Sequence, residues 1–323
     1  MRLVKRSFFN DMEQNNMVQM RVLADGLRFP EGPVAMNDGS VAFVEIERGT
    51  VSRVAPDGTT TVIAQTGGGP NGLAVGPDGA FYVCNNGGFL WKEVDDKLHV
   101  LHGTPPSYTG GSIQRIDPVT GEVRTLYDRC GDVKLCGPND LVFDAHGGFY
   151  FTDFGKTRAR ERDIGCVYYA LPDGSKIVEV IHPIMAPNGI AISPDSNTLY
   201  VSETETSRLW AFDILEAGVV KKQPSLSPNG GRLICGLPGY QRLDSMALEA
   251  SGNICVGTLI TGQITVFSPQ GEVLRQVPFP DANTTNICFG GKDMKTAYVT
   301  QSITGKLIEM QWPAPGLALN FSA

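Results

Sequence analysis

The feature that most constrains the fold is a unit that occurs six times along this chain of 323 residues. Each copy opens on a carboxylate or an Asn, continues as a short apolar strand, turns, and ends in a second apolar strand. The first copy reads Glu31-Gly-Pro-Val-Ala-Met-Asn-Asp-Gly and the second reads Asn71-Gly-Leu-Ala-Val-Gly-Pro-Asp-Gly. Turns rich in Asp and Gly close tight hairpins, so each copy predicts two antiparallel strands.

We call the polar residue that opens each copy its anchor. Further apolar runs with turns of their own follow several copies, which gives about four antiparallel strands per unit. Six such units predict an all-β fold, a six-bladed β-propeller that spans residues 1–323 as one domain. A β-sandwich would not explain six copies in one register, and no helical stretches alternate with the strands as an α/β fold requires. The anchors are Glu31, Asn71, Asn139, Asn188, Asp244 and Asn286.

Two segments depart from the repeat. Residues 18–23 have strand character, and we expect them to complete the last blade beside residues 306–311 and so to close the ring. Residues 85–111 form an insertion in blade two. We interpret the preceding strand as running away from the anchors, so we expect the insertion on the opposite face, as a surface excursion or an oligomer contact. A lid over the channel is the alternative, and a homo-oligomer is left open.

Composition excludes several functional classes. The formal net charge is −7 and no basic stripe is visible, which argues against a nucleic-acid partner. No apolar run is long enough to span a membrane, and the first 20 residues lack the apolar segment of a signal peptide. Seven unevenly spaced cysteines indicate buried free thiols in a reducing compartment, and we expect a cytoplasmic protein. A disulfide or half of a metal site at Cys130 and Cys136 is the alternative.

The anchors should converge. The first strand of every propeller blade lines the central channel, and all six run in one direction, so their first residues meet at one end. Two carboxylates about 4 Å apart repel by roughly 4 kcal/mol at an effective dielectric constant of about 20. A divalent cation would compensate this repulsion, and carboxylate and amide oxygens suit Ca²⁺, Mg²⁺ or Mn²⁺. A simple turn role is the alternative for the Asn anchors, above all for Asn71 and Asn286.

Other catalytic patterns are weak or missing. His99 and His102 have the spacing His-x-x-His, but a lone pair of histidines is poor support for a metal site. The chain contains neither the Gly-x-Ser-x-Gly motif of serine hydrolases nor the His-Glu-x-x-His motif of zinc proteases. The charged stretch of residues 155–165 is typical of a solvated loop.

At the anchors the chain resembles the gluconolactonase/regucalcin superfamily, the senescence-marker-protein-like six-bladed propellers. Phe-Pro-Glu31-Gly-Pro resembles the first metal-carboxylate motif of that family, and Ala-Pro-Asn188-Gly resembles its Asn ligand motif. Leu-Asp244-Ser resembles the last ligand motif, although many members have Gly where this chain has Ser245. Pro-Asn139-Asp resembles the motif of an Asn that supports the metal ligands or contacts the substrate. The resemblance covers roughly residues 20–312.

The resemblance implies a lactonase that uses one divalent cation, with Ca²⁺ favoured over Mn²⁺, Mg²⁺ and Zn²⁺. Its substrate would be a sugar lactone or a related cyclic ester. Asp244 would act as the general base or orient the attacking water, whereas Glu31 would serve as a ligand only. The implied metal ligands are Glu31, Asn139, Asn188 and Asp244. The implied substrate-binding residues are Asn71, Asn139, Ser245 and Asn286.

Two further functions stay open at this point. Related propellers with similar metal centres suggest a promiscuous esterase or phosphotriesterase. A propeller that binds calcium or a ligand without catalysis is the alternative from a different class. Strictosidine-synthase-like propellers share the fold but lack the set of Glu, Asn, Asn and Asp, which argues against that function.

Overall fold

The computed structural model describes residues 20–101, 103–223 and 227–322. Over these ranges the chain forms 29 strands, β1 to β29, and no helix. The same ranges therefore contain no helix long and apolar enough to cross a membrane. Six antiparallel sheets of four or five strands follow one another along the chain, which confirms the predicted six-bladed propeller.

Each blade begins with the strand that carries its anchor. Blade one consists of β2 (Pro30–Ala35), β3 (Val41–Glu45), β4 (Thr50–Val54) and β5 (Thr60–Gln65). Blade two consists of β6 (Pro70–Val75), β7 (Phe81–Asn85), β10 (Ser112–Ile116) and β11 (Val123–Tyr127). Blade three consists of β14 (Pro138–Phe143), β15 (Phe149–Asp153), β16 (Gly165–Ala170) and β17 (Ile177–Ile184). Two hairpins lie outside these blades, namely β8 (Leu90–Val94) with β9 (Lys97–Leu101) and β12 (Arg129–Cys130) with β13 (Val133–Lys134).

The other three blades follow the same order, with two additions. Blade four consists of β18 (Pro187–Ile192), β19 (Thr198–Glu203), β20 (Arg208–Glu216) with its short partner β21 (Val219–Val220), and β22 (Arg232–Gly236). Blade five consists of β23 (Arg242–Leu248), β24 (Ile254–Leu259), β25 (Gln263–Phe267) and β26 (Val273–Pro278). Blade six consists of β27 (Thr284–Gly290), β28 (Thr296–Gln301), β29 (Lys306–Gln311) and β1 (Arg21–Ala24).

Strand β1 completes the sixth blade and joins the two ends of the chain. It pairs antiparallel with β29, and Arg21 lies opposite Glu309. Residues 18 and 19 of the expected closing strand lie outside the described residues. Because this pairing places a strand from the start of the described chain in its last blade, it closes the ring of blades.

The core consists of apolar side chains between neighbouring blades. Between blades two and three, for example, the ring centroids of Tyr82 and Phe143 lie 5.1 Å apart, and those of Tyr82 and Phe149 lie 5.8 Å apart. Complete burial of such a side chain contributes about 1.5–3 kcal/mol. All seven cysteines are unpaired, so the alternative of a disulfide between Cys130 and Cys136 is wrong.

The C-terminal segment after β29 crosses the end of the propeller that lies away from the anchors. Trp312 is completely buried and donates its Nε1–H to Glu249 Oε1 at 2.9 Å. Leu317 donates its backbone N–H to Leu248, and the Phe321 ring packs edge-on against Phe143. The segment thus ties blades six, five and three together across this end.

The insertion of blade two emerges at the anchor end, and the expectation that it lies on the opposite face is wrong. Strand β6 runs away from its anchor, but β7 returns, so that Asn85 at the end of β7 lies opposite Pro70 at the start of β6. The insertion begins directly after Asn85. The predicted position is wrong because the prediction assumed that the second strand of the blade runs away from the anchors, whereas it runs towards them.

Candidate active site

Every anchor lies at an irregularity in the innermost strand of its blade. The register between the first and second strands shifts directly after the anchor in blade one, across the anchor in blades two to five, and directly before the anchor in blade six. A β-bulge of this kind changes the direction of a side chain and is common near active sites. Two successive residues of each strand, the anchor and the one after it, are therefore candidates for the channel end.

The residue after the anchor decides how closely neighbouring blades approach. A Cβ atom on Gly72 would lie 2.6 Å from the carbonyl oxygen of Asn139, and one on Gly189 would lie 2.7 Å from that of Asp244. These contacts leave no space for a side chain. In blades three and five the corresponding residues are Asp140 and Ser245, and both are buried.

Glu31 is buried at the start of blade one. Its Oε2 atom accepts hydrogen bonds from the backbone of Gly32 at 3.0 Å and from Asn286 Nδ2 at 3.1 Å. Thr285 adds a further hydrogen bond. Burial nevertheless raises the pKa of the Glu31 carboxyl above its usual range, because desolvation outweighs these bonds.

Asp244 lies in blade five, which blade six separates from blade one. Its carboxylate accepts a hydrogen bond from Asn188, and Ser245 Oγ donates to Asn188 Oδ1 at 3.2 Å. Burial raises the pKa of Asp244 well above its usual range, and the negative charges of Glu31 and Asp140 raise it further. Since these charges act on Asp244 appreciably, the carboxylates of three blades share one electrostatic environment.

Asp140 is a further buried carboxyl group of this site, and it is not among the site residues predicted from the sequence. Burial raises the pKa of this carboxyl to about 7, and the neighbouring charge of Glu31 contributes, whereas hydrogen bonds from Leu141 and Ser245 oppose the change. The signal was available in the repeat. Asp140 occupies the position after the anchor, which is Gly in the first, second and fourth copies.

Asn139 and Asn71 are less connected. The Asn139 side chain is buried, and its Oδ1 atom has no hydrogen-bond partner among the described residues. Asn71 is buried at the start of its strand. Direct contacts or charge effects thus connect most of the predicted site, namely Glu31, Asn286, Asn188, Asp244 and Ser245.

The donor set fits a hard divalent cation. No three His, Cys, Asp or Glu side chains of the described ranges are grouped closely enough to hold a metal ion by themselves. Amide oxygens therefore have to take part with the carboxylates. The site contains buried carboxyl groups with raised pKa values and an amide oxygen without a partner among the described residues. A hard divalent cation would neutralise the carboxylates and provide a partner for the amide oxygen. His99 belongs to β9, and His102 lies outside the described residues.

Hydroxyl groups of each preceding blade fix the backbone of the site. Thr152 Oγ1 in blade three donates to the carbonyl oxygen of Asn188 at 2.7 Å. Ser202 Oγ in blade four donates to that of Asp244 at 2.8 Å, and Ser302 Oγ in blade six donates to that of Pro30 at 2.8 Å. These bonds connect neighbouring blades at the anchors, as a preorganised site requires.

Comparison with known proteins adds a family match. Residues 29–303 match the model of the SMP-30/Gluconolactonase/LRE-like region. The chain is 29% identical over 263 residues to the lactonase drp35 of Staphylococcus saprophyticus, an alignment that covers 81% of this chain and 72% of that protein. It is 26% identical over 311 residues to the gluconolactonase of Zymomonas mobilis, with 88% and 79% of the two chains covered.

Solved structures show the same fold. A gluconolactonase from Xanthomonas campestris superimposes with a TM-score of 0.72 at 23% identity, over 92% of this chain and 90% of that one. Regucalcin from Agrobacterium tumefaciens, described as a calcium-binding protein, superimposes with a TM-score of 0.74 at 18% identity, over 94% and 96% of the two chains.

Proposed function

This chain belongs to the SMP-30/gluconolactonase/LRE-like family, and from that membership and the carboxylate cluster we propose that it is a lactonase that depends on one divalent cation. The observation that carries the proposal is the convergence of Glu31, Asp140 and Asp244 in one buried environment with an unpartnered amide oxygen. The lactonase and the gluconolactonases among its relatives support lactones as the substrate class. Sugar lactones and related cyclic esters are the proposed substrates.

The proposed ligands of the cation are Glu31, Asn188 and Asp244, with Asn139 as a further oxygen donor. Ca²⁺ is the favoured ion because all the donors are oxygens, and Mn²⁺, Mg²⁺ and Zn²⁺ are the alternatives. When bound, the cation would polarise the lactone carbonyl and favour the ionised form of the buried carboxyl groups.

The protein side chains would divide the remaining work. The Asp244 carboxylate would accept a proton from the attacking water and return it to the ring oxygen as the acyl C–O bond of the lactone breaks. Asn188 orients that carboxylate through its hydrogen bond. Asn139 would donate its Nδ2–H to a substrate oxygen, while its Oδ1 atom, which has no partner among the described residues, would be available to the cation. Asn286 holds the Glu31 carboxylate in place, and Ser245 holds Asn188, so neither needs to touch the substrate.

The test is ring opening measured as acid release. The protein is dialysed against a chelator and assayed with several sugar and aliphatic lactones, with and without added Ca²⁺, Mn²⁺, Mg²⁺ or Zn²⁺. We expect hydrolysis that is lost on chelation and restored by at least one of these ions. Failure to hydrolyse any lactone under all of these conditions would contradict the proposal.

A propeller that binds calcium without catalysis is the competing function, and the calcium-binding regucalcin structure favours it. The same samples separate the two, because a binding protein would take up Ca²⁺ in a calorimeter and open no lactone. Activity towards phosphotriesters or acyclic esters that exceeds the activity towards lactones would instead indicate the esterase function.

A further inference from the structure

The insertion of blade two contacts the segments that lead into three anchors. We call residues 86–101 and 103–111 the cap. Asn86 donates its backbone N–H to Gly69 at 2.8 Å, two residues before Asn71. Tyr108 donates its hydroxyl to the carbonyl oxygen of Cys136 at 2.7 Å, three residues before Asn139. The cap therefore lies close to the channel end on blades two and three.

The β8–β9 hairpin of the cap extends the contacts to blades one and six. The ring centroids of Trp91 and Phe29 lie 5.1 Å apart, and Phe29 lies two residues before Glu31. Leu98 donates its backbone N–H to Ile303 of blade six at 3.1 Å. Because none of these contacts reaches blade four or blade five, the cap is asymmetric with respect to the channel.

Lys156 joins the cap to blade three. This side chain is 2% exposed, and its Nζ atom donates to Asn86 Oδ1 at 3.1 Å and to the carbonyl oxygen of Gly88 at 2.8 Å. The ammonium group lies 4.3 Å from the centroid of the Phe89 ring and 5.4 Å from that of Tyr108. A buried lysine is costly unless acceptors and aromatic faces surround it, so this arrangement makes it a strong attachment point.

Glycines flank the cap at both ends. Gly87 has a φ angle of 79° and Gly110 has a φ angle of 134°, conformations that other residues rarely adopt. The cap is thus joined to blade two through backbone that can change direction, and its position depends on the contacts that it makes. Lys156 supplies several of these contacts at once.

We propose that the cap closes the channel end over Glu31, Asn71 and Asn139, so that substrate enters over blades four and five, and that Lys156 is the positioning residue that holds the cap. The inference rests on the proposed lactonase function. A fixed cap limits the size of the substituents that a bound lactone carries on the capped side. Lys156 would accordingly set the preference for small lactones without touching them.

The experiment combines hydrogen exchange with a substrate series. Lys156→Met keeps most of the side-chain volume but removes both hydrogen bonds. Lys97→Met is the matched control, because Lys97 is exposed on the same cap. In the wild-type protein and both variants, amide exchange of residues 89–101 is followed by mass spectrometry. The kcat/KM values are measured for lactones with substituents of increasing length.

We expect Lys156→Met to accelerate exchange of residues 89–101 at least tenfold. It should also reduce the preference for the smallest over the largest lactone at least fivefold, with kcat for the smallest within threefold of the wild-type value. Lys97→Met should change neither quantity, and Lys156→Arg should restore part of the preference. Unchanged exchange, or an unchanged preference with faster exchange, would overturn the proposal.

Two further results decide the proposal if Lys156→Met does not fold or if the wild-type protein hydrolyses no lactone. If Lys156→Met does not fold, Tyr108→Phe removes one cap contact and should change exchange and preference in the same direction by a smaller factor. If the wild-type protein hydrolyses no lactone, the proposed function fails. The exchange measurement still decides whether Lys156 holds the cap, and unchanged exchange would overturn the inference.

Discussion

The two ends of the propeller channel are built from different kinds of interaction. At the anchor end, carboxyl groups are buried close to one another with pKa values above their usual range, and an amide oxygen has no partner. At the opposite end, Trp312 and Phe321 pack against apolar residues and the hydrogen bonds of Glu249 are satisfied. Burial of carboxyl groups opposes stability at the first end, whereas burial of apolar side chains contributes stability at the second.

This difference predicts that mutations at the two ends separate activity from stability. Replacement of Asp244 by Asn should lower kcat/KM for the best lactone by about 10³-fold, because the proton acceptor is lost. In the chelator-treated protein the melting temperature should stay the same or rise, since one buried carboxyl group is removed. Asp57→Asn, in an exposed turn of the opposite end, is the control for both measurements. Full activity of Asp244→Asn would show that the general base is another group.

The converse change is Trp312→Ala. Removal of a completely buried indole should lower the free energy of unfolding by about 3–5 kcal/mol, measured by urea denaturation. The value of kcat at a temperature where the variant is folded should stay within twofold of wild type. A large loss of kcat with little loss of stability would mean that the two ends are not independent.

The pH dependence of stability should separate the ends as well. Burial lowers the pKa of Lys156 to about 7, and the charge of Arg158 contributes, although Asp153 and Asp163 oppose the change. Between pH 7 and about 10 the unfolded chain therefore holds one proton more on this side chain than the folded protein. Stability should rise with pH in this window by up to about 1.4 kcal/mol per pH unit, a contribution that Lys156→Met removes. Equal slopes for wild type and variant in urea denaturation at several pH values would contradict this assignment.

The smallest expected effect concerns the hydroxyl groups between blades. Thr152→Val should cost about 1 kcal/mol of stability, because the Asn188 carbonyl oxygen loses its buried donor. It should also lower kcat by a few fold through the displaced Asn188. Thr152→Ser keeps the hydroxyl and is expected to recover both quantities. If Val and Ser variants behave alike, the hydroxyl has no role in positioning the site.

The repeat predicted the fold because it encodes local structure. Alternation of apolar residues and turns rich in Asp and Gly specifies hairpins directly, and the six anchors share a register that requires one channel end. The same register located Glu31, Asn188 and Asp244 correctly at one end. Asp140 was not predicted, because the sequence alone does not show why most other copies have Gly at this position. The structure gives the reason, since neighbouring blades approach closely there and leave no space for a side chain.

The position of the insertion could not be predicted from the repeat. Its sequence contains no repeat, so its position depends on the direction of the strand before it and on contacts with distant blades. The contact of Lys156 with Asn86 joins residues 70 positions apart. No local sequence pattern predicts such a contact. The charged stretch around Lys156 indicated a solvated loop, whereas the lysine itself is buried because aromatic side chains of the insertion surround it.

A crystal structure with Mn²⁺ and the hydroxy acid released from the best lactone tests the central claim most directly. We expect anomalous density from one cation that contacts the carboxylates of Glu31 and Asp244 and the amide of Asn188. The carboxylate of the bound product should lie beside this ion, with Asn139 within hydrogen-bonding distance. A cation bound elsewhere, or a product at the opposite end of the channel, would contradict the assignment of the anchor end as the active site.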